Sequence, residues 1–173
     1  MKTKYIIIII VVVILIIGVV LLIKKKKEND YIKKVEVGEL TSLYLSYSNG
    51  YMMNANIRYD FKLDKETNKY MVEIKPYLVD DEDKLVIEVD ESFKDKLKEI
   101  IVKYDVSKWD GYNESDQNVL DGDSFSFGAW FQDGTSIHAS GYMMWPRNYS
   151  NVRGELDSLF MNIYNKEKGI ENE

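Results

Sequence analysis

The chain has 173 residues, and its 29 acidic residues outnumber its 23 basic ones. It contains no cysteine, which excludes disulfides, thiolate catalysis and cysteine-based metal sites. From Glu28 onward, 17 basic residues stand against 29 acidic ones, a net charge of −12. This acidic balance argues against nucleic acid as a partner.

The first element is an uncharged apolar run from Tyr5 to Ile23, followed at once by four lysines. As a helix it would cover roughly 28 Å at about 1.5 Å per residue, close to the hydrocarbon thickness of a bilayer. The run is too long for the apolar region of a cleaved signal peptide, and no small-residue cleavage site follows it. It therefore predicts an N-terminal transmembrane helix over 5–23, with the lipid bilayer as a partner.

The charges flanking this helix bear on its orientation. The lysines after it place the following domain in the cytoplasm if the positive-inside rule is taken literally. However, the basic tail before the helix is itself costly to translocate. We therefore predict a single-pass cell-membrane protein with N-in, C-out orientation. The chain then divides into a tail (1–4), an anchor (5–23), a juxtamembrane linker (24–38), an α+β domain (39–166) and a polar tail (167–173).

The domain begins with a two-residue period, which is typical of strands. In the first strand, Leu43 and Leu45 alternate with polar positions, and Asn49-Gly50 is a strong hairpin signal. Three further alternating runs end at Phe61, Ile74 and Val89. The pattern predicts an antiparallel meander of about four strands with one buried face.

After Val89 the period becomes helical. One apolar stripe, opened by Asp90 as an N-cap residue, predicts the first helix of the domain, and an irregular loop is expected from 105 to 123. A second stripe after Pro146 predicts another helix. The first stripe contains Phe93, Leu97, Ile100, Ile101 and Tyr104, and the second contains Val152, Leu156, Leu159, Phe160 and Ile163.

Between the two helices, Phe125 to Met143 predicts a β-hairpin around Asp133-Gly134. A two-residue turn would make both faces half polar, whereas a three-residue loop with Gly134 as a left-handed bulge separates apolar from polar side chains. We therefore predict the bulged register. It pairs Phe125, Phe127, Ala129 and Phe131 with Gly141, Ala139, Ile137 and Thr135, and Ser124, Ser126, Gly128 and Trp130 with Tyr142, Ser140, His138 and Ser136.

A fairly distinctive pattern covers the last two thirds of the chain. It reads W-D-G…V-L-D-G-x-S-F-S from Trp109 and G-Y-M…P-x-N-Y from Gly141. This pattern resembles an uncharacterised domain family of lipoproteins and membrane-anchored proteins of low-GC Gram-positive bacteria. The resemblance implies an extracytoplasmic α+β domain with no assigned activity and no catalytic residue. The lipidation cysteine of the family is absent here.

Two sets of residues could in principle carry chemistry, one as a catalytic Ser–His pair and the other as a Ca²⁺ site. His138, the only histidine, lies between Ser136 and Ser140, but a Ser–His pair also needs an orienting acid and an oxyanion hole. The acids of 80–83, with those between Asp110 and Asp123, could offer oxygen ligands to Ca²⁺, but neither set has the spacing of a calcium loop. We assign no catalytic residue, metal site or cofactor.

The most favoured function is a non-enzymatic, membrane-tethered domain that binds a protein, a peptide or an envelope component. An extracytoplasmic hydrolase and an accessory subunit of a membrane complex stay open as alternatives. Two interpretations of Trp109 compete: a binding residue on a long loop, or a buried plug that pins the loop to the core. The side chains proposed for an interaction surface are Trp109, Tyr112, Trp130, His138 and Tyr142.

Overall fold

The computed structural model describes residues 13–26, 38–50, 56–76 and 84–170. The chain divides into two compact units, Met1–Val37 and Gly38–Glu173. Helix α1 covers 13–26 in the first unit, and its apolar side chains are exposed, Leu22 at 68 %. The second unit contains the sheet and the remaining helices.

The predicted transmembrane anchor is wrong. Residues 5–12 of the predicted span lie outside the described residues, and the described part of α1, 13–26, covers about 21 Å at 1.5 Å per residue. In the described ranges, no helix combines the length and apolar character needed to cross a membrane. This finding also overturns the single-pass membrane localisation with N-in, C-out orientation. Most of the predicted linker, 27–37, lies outside the described residues.

The second unit is built around one mixed sheet of seven strands in the order β4-β3-β2-β1-β6-β7-β5. The strands β1 to β4 form the predicted antiparallel meander, and the hairpin β6–β7 joins the sheet beside β1. The α+β class is confirmed. The strands are β1 (Leu40–Ser48), β2 (Asn56–Asp64), β3 (Lys69–Lys75), β4 (Leu85–Val89), β5 (Tyr112–Ser115), β6 (Ser124–Phe131) and β7 (Ser136–Tyr142).

Two features of the strands depart from the predictions. The first hairpin does not turn at Asn49-Gly50 alone, because Ser48 pairs with Asn56 and the connection runs through residues 51–55, which are not described. The predicted loop 105–123 contains a 3₁₀ turn, Val106–Trp109, and β5, which runs parallel to β7 at the edge of the sheet. Four residues are too few for a period to be visible in the sequence.

The register of the β6–β7 hairpin is the predicted one. Phe127 pairs with Ala139 and Gly128 pairs with His138. Gly134 has φ of +84°, and its N–H donates to the carbonyl of Phe131 at 3.0 Å. The bulge therefore places Phe125, Phe127, Ala129, Phe131, Ile137 and Ala139 on one face.

Two helices cover that apolar face. Helix α2 (Glu91–Lys103) has Asp90 as its N-cap, accepting from the N–H of Phe93 at 3.2 Å as predicted. Helix α3 (Tyr149–Lys168) buries Tyr149, Val152, Leu156, Phe160 and Tyr164, whereas the predicted core positions Leu159 and Ile163 are only half-buried. Stacking of Phe160 on Tyr59 and contact of Phe93 with Phe61 join the helices to the sheet.

Candidate functional site

The opposite face of the sheet is not covered by any helix of the second unit's described residues. Three adjacent strands, β1, β6 and β7, present mainly short hydroxyls and aromatic rings on this face, with no Asp, Glu, Lys or Arg. On a chain with so much negative charge, this strip is distinctive. It consists of Ser42, Tyr44, Ser46 and Ser48 from β1, Ser124, Ser126, Gly128 and Trp130 from β6, and Ser136, His138, Ser140 and Tyr142 from β7.

Two aromatic rings lie side by side at the centre of this strip. The ring centroids of Tyr44 and Trp130 are 5.7 Å apart, and the ring planes are inclined by 32°. Both rings lie over Gly128, where a Cβ atom would come within 2.5 Å of Tyr44 Cε1 and 2.7 Å of Trp130 Cη2. The glycine lets the rings lie against the backbone, and we call this pair of rings the aromatic platform.

His138 and several hydroxyls surround the platform. The imidazole of His138 is exposed and meets the Trp130 ring edge-on, with 5.0 Å between centroids and 77° between planes. The Tyr44 hydroxyl is 2.8 Å from Ser126 Oγ, and Ser48 Oγ is 2.7 Å from Ser124 Oγ. Since a hydroxyl donates one hydrogen bond and accepts two, these pairs retain capacity for a ligand.

Charged side chains on this face begin at β2, and several of them form ion pairs. The guanidinium of Arg58 donates two hydrogen bonds to Asp60, at 2.6 and 3.0 Å. On the neighbouring strand, Glu73 accepts a hydrogen bond from Lys84 at 2.9 Å. In these two pairs each positive charge is compensated by a carboxylate.

Only part of the predicted interaction surface comes together. Trp130 and His138 are in contact, and the third member of the cluster, Tyr44, was not predicted. Tyr142 lies on the same face, but its hydroxyl accepts from the N–H of Gly122 and donates to the Leu120 carbonyl at 2.8 Å, so it holds a loop.

Trp109 and Tyr112 lie on the other side of the sheet. Trp109 is 2 % exposed and its indole N–H donates to the Arg147 carbonyl at 2.9 Å. Its ring meets Phe127 edge-on. Of the two interpretations, the buried plug is confirmed. Tyr112, half-buried, contacts the ring of Phe125.

Three of the acidic residues from Asp110 to Asp123 accept hydrogen bonds from backbone N–H groups. Asp110 accepts from the N–H of His138 at 3.0 Å, Asp116 accepts from the N–H of Asn118, and Asp123 accepts from the N–H of Gly50. Within the described ranges, no three histidine or acidic side chains are close enough to hold a metal ion. The cluster 80–83 lies outside the described residues.

A scan against protein-family models and a search of curated proteins found no match to this chain. The resemblance of the segment from Trp109 to Tyr149 to a domain family therefore stays a prediction.

Proposed function

We propose that the Gly38–Glu173 unit is a non-enzymatic binding domain whose aromatic platform holds an uncharged sugar chain. The observation that carries the proposal is the placement of the Tyr44 and Trp130 rings over Gly128, at the centre of a strip without charged side chains. Both residues are half-buried, so part of each side chain remains exposed.

The chemistry of the strip fits that ligand. A sugar ring has an apolar C–H face that can lie on an aromatic ring, and a rim of hydroxyls that both donate and accept hydrogen bonds. The strip offers two rings for the first and serine hydroxyls for the second. A charged polymer would gain nothing from a strip without charge, and a polyanion would be repelled by the acidic chain.

The environment of His138 favours binding over hydrolysis. Its backbone N–H is used by Asp110, and its ring packs edge-on against the indole of Trp130. A base of a Ser–His pair would instead be expected within hydrogen-bond reach of a nucleophile and an orienting carboxylate. His138 therefore fits the role of a residue that borders the platform and contacts a ligand bound there.

The test is a screen of the full chain against an array of uncharged oligosaccharides, followed by calorimetric titration of the strongest binder. Trp130→Ala and Tyr44→Ala should each weaken binding by at least about tenfold, because a stacked aromatic ring contributes on the order of 1–2 kcal/mol. Val86→Ala is the matched control, since Val86 lies on the same face of the sheet and is 53 % exposed, but on β4.

Two results would refute this function. One is a full chain that binds no uncharged oligosaccharide at millimolar concentration. The other is a Trp130→Ala variant that binds as tightly as the parent while the circular dichroism spectrum shows an intact fold.

A further inference from the structure

Large apolar side chains lie exposed on two loops at one end of the sheet. Leu120 is 94 % exposed, the highest value among the large apolar side chains of the described residues. Met143, Met144 and Trp145, which directly follow β7, are 37 to 42 % exposed. The two loops are in contact, since the N–H of Met143 donates to the Asp123 carbonyl at 2.9 Å. We call these four side chains the Leu120 patch.

The composition of the patch is that of a binding surface. Single exposed apolar side chains are common on soluble proteins and need no explanation. Four of them on two loops in contact are less common, and methionine and tryptophan are enriched where proteins bind one another. At 94 % exposure, Leu120 gains almost nothing from the fold of its own chain.

The loop that carries Leu120 is held against β7. The Tyr142 hydroxyl accepts from the N–H of Gly122 at 2.7 Å and donates to the Leu120 carbonyl at 2.8 Å. Earlier in the loop, the N–H of Asp116 donates to the Tyr142 carbonyl at 2.9 Å. A side chain on a loop that is already ordered loses little conformational freedom when a partner covers it. Leu120 is therefore suited to anchor a partner.

The charges around the patch are negative. The chain from Trp109 to Pro146 contains no Lys or Arg. The acidic residues of the loop and of the strand before it are Glu114, Asp116, Asp121 and Asp123.

Two of these carboxylates are bonded only to uncharged donors. Asp116 accepts from the N–H of Asn118 at 2.9 Å, and Asp123 accepts from the N–H of Gly50 at 3.3 Å. Uncharged donors do not compensate the negative charge of a carboxylate. The rim of the patch therefore attracts a basic partner and repels an acidic one.

We propose that the Leu120 patch binds a basic protein segment in which Lys or Arg residues flank large apolar side chains. The apolar side chains of that segment cover Leu120 and Trp145, and its basic residues pair with Asp121 and Asp123. The buried anchor supplies most of the affinity, whereas the rim charges select the partner and speed association. The same acids disfavour a second copy of this chain and an anionic lipid surface as the occupant.

The test is a selection of random dodecapeptides displayed on phage against the full chain, followed by titration of the most enriched peptide. Enriched sequences should combine Lys or Arg with large apolar residues. Leu120→Ser should weaken binding of that peptide by at least about tenfold, because it removes the anchor without altering the charge. Val86→Ser is the matched control, since Val86 is 53 % exposed on β4, at the opposite edge of the sheet.

A second pair of variants tests the acidic rim. Asp121→Asn and Glu99→Gln each remove one negative charge from an exposed position. Only Asp121→Asn should weaken the peptide, by about two- to fivefold, the range expected for one exposed ion pair. Trp130→Ala should leave the peptide affinity unchanged, so this surface is tested independently of the aromatic platform.

Three results would overturn the proposal. One is a selection that enriches no sequences containing Lys or Arg. Another is a Leu120→Ser variant that binds the peptide as tightly as the parent while its circular dichroism spectrum shows an intact fold. The third is self-association of the parent chain, or its binding to phosphatidylcholine vesicles, that Leu120→Ser abolishes, because a second copy or lipid then covers the patch.

Discussion

The ring of Tyr44 occupies the space that a side chain at Gly128 would need, because a Cβ atom there would lie 2.5 Å from Tyr44 Cε1. The other close atom, 2.7 Å away, belongs to the indole of Trp130. Both atoms are at the ends of side chains, which can rotate away, and neither is backbone. A side chain at this position would therefore displace the platform without breaking the sheet.

Gly128→Ala should separate binding from folding. We expect the free energy of unfolding to change by no more than about 1 kcal/mol, because rings on an open face can shift where core groups cannot. Sugar binding should fall by at least about tenfold, since the two rings no longer form one surface. Urea unfolding and calorimetric titration measure the two effects, and unchanged affinity in the variant would contradict the platform.

Two glycines should respond to alanine with opposite signs. Gly134 has φ of +84° and no atom within 4 Å of a new Cβ, so Gly134→Ala should destabilise the unit by about 1 kcal/mol through the backbone alone. Gly154 also has open space, but it lies inside α3. Gly154→Ala should stabilise by about 0.5–1 kcal/mol. Urea unfolding gives both values, and equal signs would contradict the bulge assignment.

The two tryptophans on either side of Tyr149 should differ in their effect on stability. Trp109 is 2 % exposed and Trp145 is 39 % exposed. Trp109→Ala should lower the free energy of unfolding by about 3–5 kcal/mol, because it leaves a large cavity and an unpaired Arg147 carbonyl. Trp145→Ala loses mainly its stacking on Tyr149, about 1 kcal/mol. Comparable losses in the two variants would show that the loop is not pinned by Trp109.

A buried lysine links α2 to the segment before β1. The side chain of Lys94 is 4 % exposed, and its Nζ lies 2.8 Å from both Glu39 and Glu91. The hydrogen bond from Lys94 holds the pKa of Glu39 below its usual 4.5. Burial by itself would lower the pKa of Lys94, but its bonds to the two carboxylates outweigh burial and raise it.

This contact predicts a pH dependence. Because Glu39 binds its proton less readily in the folded chain, it stabilises the fold above about pH 4.5, and this contribution is lost as the pH falls through the lower folded pKa. Glu39→Gln should therefore lower stability at pH 7, by up to about 1 kcal/mol for a half-exposed carboxylate, and the deficit should shrink near pH 3. Urea unfolding at both pH values measures it. Glu99→Gln, on an exposed position of α2, is the control, and a deficit independent of pH would refute the contact.

Local alternation was sufficient to predict the two faces of the hairpin. With a side-chain period of two, the row containing Phe127 and the row containing Gly128 must lie on opposite faces, and only one register separates them. Alternation does not encode which strand lies beside which. Tyr44 and Trp130 meet because β1 pairs with β6. The platform could not be predicted, since the sequence does not show that these strands are neighbours. The one local sign was Tyr44 itself, an aromatic residue among serines on the polar face of β1.

The predictions for Trp109, for α3 and for the N-terminal apolar run differed in how far local sequence could support them. Burial of Trp109 followed from the need of a long loop for an apolar anchor. The half-buried positions of Leu159 and Ile163 depend on how far α3 is rotated against the sheet, which an apolar stripe defines only loosely. The apolar run from Tyr5 to Ile23 predicted a span from hydropathy, but no helix among the described residues is long and apolar enough to cross a membrane.

The pairing of β1 with β6 has a consequence for synthesis of the chain. Thr41 and Trp130, joined by a hydrogen bond at 3.1 Å, are 89 positions apart. While the ribosome makes the residues between them, β1 can pair with β2. The backbone groups on the other edge of β1 stay unpaired until β6 is made, and Leu43 and Leu45 are not yet fully buried. Non-local pairing of this kind slows folding, and an open edge strand invites association with other chains. A nascent chain that stalls before β6 is therefore prone to aggregate, and completion of the hairpin is the step that ends this exposure.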